Sequence, residues 1–76
     1  MNKQRRKDIE DVRARLEELR DEIEALKNDE EEYYDNMPES FQNGERGEKA
    51  QEAIDALDNA YNSIDEALDS LDEATA

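Results

Sequence analysis

The chain has 76 residues, of which 24 are Asp or Glu and 10 are Lys or Arg, for a net charge of −14. Cys, His and Trp are absent, which excludes disulfides, thiolate metal sites and His-dependent catalysis. No apolar run approaches the roughly 18 residues of a membrane span, no signal-peptide core is present, and the negative charge speaks against direct contact with nucleic-acid phosphates.

With charged residues at 45% and hydrophobic ones at 34%, composition alone places the chain near the disordered class. Pattern decides otherwise. Ile9, Val12, Leu16, Leu19, Ile23, Leu26, Tyr33 and Met37 follow alternating steps of three and four, with Glu30 in the skipped place. This is a heptad with a at 9, 16, 23, 30 and 37 and d at 12, 19, 26 and 33. Neither Gly nor Pro interrupts it, so one helix is expected over residues 3–35.

A loop is expected over residues 36–44. Pro38 pushes Met37 out of helical backbone and ends the first helix. Pro38 to Gln42 can form a turn with Pro in its first position. Asn43-Gly44 reads as a turn, with Asn43 as candidate N-cap of the next helix. Gly47 should weaken that helix and fray its first turn.

The second helix is expected over residues 45–73. Ala50, Leu57, Ile64 and Leu71 occupy d, and Ile54, Tyr61 and Leu68 occupy a; IDALDNA, YNSIDEA and LDSLDEA form a short internal repeat. The flanking charges set how the helices pair. Arg13, Arg20 and Lys27 at e of the first helix match Asp72, Asp65 and Asp58 at e of the second, every pair adding to residue number 85. Core layers such as Leu19 with Leu68 and Leu26 with Tyr61 add to 87, nearly the same register. The expected fold is therefore all-α: an antiparallel, coiled-coil-like two-helix hairpin and a single domain over 1–76. Such a small hairpin leaves apolar surface open, so a homodimer forming a four-helix bundle is expected. In the hairpin core Tyr33 is expected inside and Tyr34, at e, outside.

No catalytic, cofactor or metal site is expected. Carboxylates are the plentiful reactive group, but paired-carboxylate catalysis needs a pocket that separates two pKa values, and a hairpin offers none. EF-hand spacing is absent, and Glu30-Glu31-Glu32 reads as a solvated run. Two interaction surfaces are candidates. One is the helix-two row Asp55, Asp58, Asp65, Asp69 and Asp72, with Glu66 beside it. Asp is a poor helix former, so its repeated use points to a rigid row of negative charge that imitates a nucleic-acid backbone and attracts a basic protein. The plainer reading is a solvated face partly used by Arg13, Arg20 and Lys27. The other candidate is the loop end, where Tyr34 and Phe41 stand among Glu30, Glu31 and Asp35 as aromatic anchors with a charged rim. Here the plainer reading is that Met37 and Phe41 cap the hairpin. The small row Ala53, Ala60, Ala67 and Ala74, with Ala56, Ser63 and Ser70, either seats helix one or forms a second interface.

The stretch Glu32-Tyr33-Tyr34-Asp35-Asn36-Met37-Pro38-Glu39-Ser40-Phe41-Gln42, followed by Glu45-Arg46 and the Ala-Ile-Asp-Ala-Leu heptads, resembles small helical-hairpin proteins of phages and mobile elements of Gram-positive bacteria. The likeness spans residues 16–76. It implies an accessory protein in the cytoplasm of a bacterial host, with no reaction and no cofactor, of a kind that inhibits host defence or nucleic-acid enzymes. The expected partner is a protein with a basic surface.

Overall fold

The computed structural model describes all 76 residues. Helix α1 spans Lys3–Asp35, the short α2 spans Glu39–Gln42, and α3 spans Glu45–Ala74. There are no strands. No helix is long and apolar enough to cross a membrane. The molecule is a rod of 59 × 14 × 13 Å with a radius of gyration of 17.3 Å. A compact chain of this length would measure about 11 Å.

Each helix boundary has a local cause. Asn2 caps α1, its side-chain oxygen accepting the Arg5 N–H at 2.7 Å. At the other end, Asn36 and Met37 donate backbone N–H groups to Glu32 and Tyr34, and extended Pro38 (ψ 147°) breaks the run. Pro38 precedes α2 as its N-cap rather than forming its first residue, and its carbonyl accepts from Phe41 and Gln42. Gln42 reaches back through Nε2 to the Tyr34 carbonyl at 3.0 Å, closing the end of α1. Asn43 does not cap α3. It ends α2, and extended Gly44 takes the N-cap place with no side-chain bond. Thr75 ends α3, its hydroxyl donating to the Leu71 and Asp72 carbonyls.

Gly47 lies differently from its sequence reading. It is buried within α3, not in a frayed turn. A Cβ there would lie 1.9 Å from the Gln42 carbonyl oxygen and 2.7 Å from the Gln42 Cα. Glycine is required because the backbone of α2 rests directly on α3 at this point.

Helices α1 and α3 pack along the rod in opposite directions. Arg13 pairs with Asp72 at 2.5 Å, Arg20 with Asp65 at 2.7 Å and Lys27 with Asp58 at 3.2 Å. Beyond them, the Arg6 guanidinium donates to the Thr75 carbonyl at the end of α3. The seam is thin: Gly47, Ala50 and Leu68 are the buried residues.

The face that α1 turns to α3 departs from the heptad expectation. Ile9, Leu16, Ile23 and Met37 at a are half-buried, and so are Arg13, Arg20, Lys27 and Tyr34 at e. The d residues are outside, with Val12 at 39%, Leu19 at 49%, Leu26 at 57% and Tyr33 at 52% exposure. The expected layers of Leu19 on Leu68 and Leu26 on Tyr61 are therefore open on the α1 side. The positions of Tyr33 and Tyr34 are reversed from the expectation: Tyr33 is exposed and Tyr34 half-buried. The cause is an asymmetry of the flanks. On the e side each base of α1 meets a carboxylate of α3, whereas the g side of α3 is alanine at 53, 60 and 67. Only one flank is drawn inward, and α1 is rolled toward it.

Candidate protein-interaction surfaces

The roll of α1 gives the rod two unlike flanks. One carries the ionic row. Arg13 binds Asp72 through two nitrogens, at 2.5 and 3.1 Å, and also reaches Glu17 on its own helix at 3.1 Å. Arg20 lies 5.6 Å from the Tyr61 ring centroid, a cation–π contact; its Nε is buried with no hydrogen-bond partner. The hydrogen bonds to Asp72, Asp65 and Asp58 raise the pKa values of Arg13, Arg20 and Lys27 respectively, outweighing the smaller effect of desolvation. The bond from Arg13 in turn holds the Asp72 carboxyl below its ordinary value. Arg13, Arg20, Lys27 and Asp72 are thereby held in their charged forms near neutral pH.

The sequence-predicted acidic row is thereby divided. Asp58, Asp65 and Asp72 are engaged within the chain. Asp55, Glu66 and Asp69 are exposed and take part in no ion pair. The loop-end candidates are divided too. Glu30, Glu31 and Tyr34 are half-buried and Asp35 is exposed. Glu31, Tyr34 and Asp35 line a shallow depression with Gln51 and Ile54, on the ionic flank. Phe41 lies on the other flank, 46% exposed.

That second flank is apolar along its length. It runs through Val12, Leu19, Leu26 and Tyr33 of α1 and the alanine row of α3. The outer row of α3 beside it is Ala56, Ser63 and Ser70, all exposed and uncharged. Ser63 spends its hydroxyl on the Asn59 carbonyl one turn back, at 2.9 Å. At the loop end the flank opens into a cleft of about 310 Å³ lined by Tyr33, Asn36, Met37, Pro38, Phe41 and Arg46. The Arg46 guanidinium stands 5.2 Å from the centroid of the Phe41 ring. Arg46 and the exposed d row were not singled out by sequence reasoning. The signal for the row was the alanine at g positions 53, 60, 67 and 74 of α3, which offers α1 no charged partner on that side.

No family model, curated protein or solved structure matches the chain.

Proposed function

We propose that the protein is a non-enzymatic helical interaction protein whose acidic flank binds a basic surface on a host protein, as an accessory protein of a phage or mobile element in the bacterial cytoplasm. The observation that carries this reading is the division of the rod's surface. Charge collects on one flank and apolar side chains on the other, and neither flank is covered. On the acidic flank the contact residues are Asp55, Glu66 and Asp69, joined at the loop end by Glu30, Glu31, Tyr34 and Asp35. Asp58, Asp65 and Asp72 shape the row from within while held by their bases. Rigid carboxylates one to two turns apart along Asp55, Asp58, Asp65, Asp69 and Asp72 imitate a charged nucleic-acid backbone, and a nucleic-acid-binding or defence protein is the fitting target.

A pull-down from bacterial lysate at low and high salt tests this. The expected result is capture of a nucleic-acid-binding protein that is lost at high salt. Changing Asp55→Asn, Glu66→Gln and Asp69→Asn together should abolish capture while helicity stays intact; undiminished capture would reject charge mimicry.

A second reading is favoured by the exposed Val12, Leu19, Leu26 and Tyr33. In it the apolar flank is a self-association surface, and two hairpins complete one core as a four-helix bundle. The two readings use opposite flanks and are compatible.

A further inference from the structure

We infer that the apolar flank is covered by a second copy of this chain, with the two α1 helices antiparallel about a twofold axis beside Glu22 and Ile23. The inference rests on the self-association reading and adds its geometry.

Area supplies the first argument. A compact monomer of 8.8 kDa exposes about 4,800 Å². This chain exposes 5676 Å². The surplus of about 900 Å² matches the roughly 800 Å² that each partner contributes to a stable interface. It also has a location, since every exposed large hydrophobic side chain after residue 1 is on the apolar flank: Val12, Leu19, Leu26, Tyr33 and Phe41.

Charge chooses the orientation. Residues 3–20 of α1 hold seven bases and five acids, whereas residues 21–35 hold one base and eight acids. Both ends oppose the helix macrodipole, with no acid in the first turn and no base in the last. Within the chain, Arg6 meets the end of α3 through Thr75, but Lys3, Arg5, Lys7 and Arg15 have no ion-pair partner. The acids at 29–32 and 35 lie at the far end of a 59 Å rod, out of reach of these bases. An antiparallel copy sets the basic half of each α1 alongside the acidic half of the other, and at the edge of the apolar flank the charges that meet are Arg15 and Asp29. Helix α3 is a poorer choice for the partner's α1, because its 45–74 span holds ten acids against two bases and would face the acidic half with more acid.

The d row fixes the register. Pairing Leu19 with Leu26 of the other copy, and Val12 with Tyr33, keeps one constant residue sum of 45. Four leucines then meet at the axis. In the adjoining g row, Arg15 comes level with Asp29 of the other copy on both sides of the axis. Arg5, the next d position outward, comes level with Ser40 at the loop end of the other copy by the same sum. A second copy is an isologous partner, so every contact is made twice.

Light scattering on the full chain should give twice the 8.8 kDa mass. Arg15→Glu and Asp29→Arg, both on exposed side chains, should each shift the protein toward monomer, and the double variant should restore the dimer. The chain has no cysteine, so single cysteines report cleanly. Glu22→Cys, beside the axis, should cross-link to itself on mild oxidation; Asp8→Cys, far from it, should not. A monomer at all concentrations overturns both the inference and the self-association reading. A dimer in which Glu22→Cys stays unlinked, or in which the charge swap fails to restore association, overturns the antiparallel α1 pairing and leaves self-association standing.

Discussion

Gly47 shows what one residue does in a fold this thin. Its backbone conformation is ordinary, with no positive φ, so any residue could adopt it. The constraint is contact: the Gln42 backbone occupies the place of a side chain. Gly47→Ala must move α2 as a unit, because the obstacle is main chain rather than a flexible tip. Its helix-propensity gain is outweighed by an overpacking cost of about 1–3 kcal/mol. A circular-dichroism melt should show the loss as a lower Tm. Read along the sequence, Gly47 is a weak helix former and nothing more, because its role depends on where α2 comes to rest. Asn2 is the opposite case. Its cap is a local signal that needs no tertiary information, although the sequence reading did not single it out.

At the scale of the element, register was legible and rotation was not. Arg13, Arg20 and Lys27 find Asp72, Asp65 and Asp58 because charge order along two helices encodes how they slide past one another. The a and d residues were equally visible, but a seam of a with d and a seam of a with e share the same a row. What separates them is the balance of the two flanks, and that balance comes from the partner helix. The candidate site changed accordingly: the Asp row split into engaged and free members, and the apolar row moved from the expected core to the surface. The ionic seam makes a pH prediction. The folded pKa of Asp72 is depressed by Arg13, so its contribution is full above the unfolded value and disappears as pH falls through the folded one. Asp72→Asn should therefore lower Tm by a few degrees or less at neutral pH. The melts of the two proteins should converge in acid below the folded pKa of Asp72.

At the scale of the molecule, a charge of −14 is spread along a rod 59 Å long. Most carboxylates lie within a Debye length, about 10 Å at 0.1 M salt, of another carboxylate and have no base beside them. Self-repulsion then outweighs the three cross-helix pairs, which keep contact with solvent and are individually weak. Raising sodium chloride from about 0.01 M to about 1 M, which shortens the Debye length from about 30 Å to about 3 Å, should raise Tm; a fall would mean that the cross-helix pairs dominate. The same salt should release a basic partner, so stability and binding move in opposite directions on one titration.

The contact between α2 and α3 at Gly47 also bears on how the chain reaches its fold. Gln42 and Gly47 are five residues apart, so this contact closes a very small loop. Moving away from it, each cross-helix pair encloses a longer segment, up to Arg6 and Thr75, which are 69 residues apart. Loop-closure entropy rises with every step, so the hairpin should close from its turn outward like a zipper. Opening runs in reverse. The rod's free end, where the basic residues of α1 meet the C-terminus of α3, is its kinetically loose end.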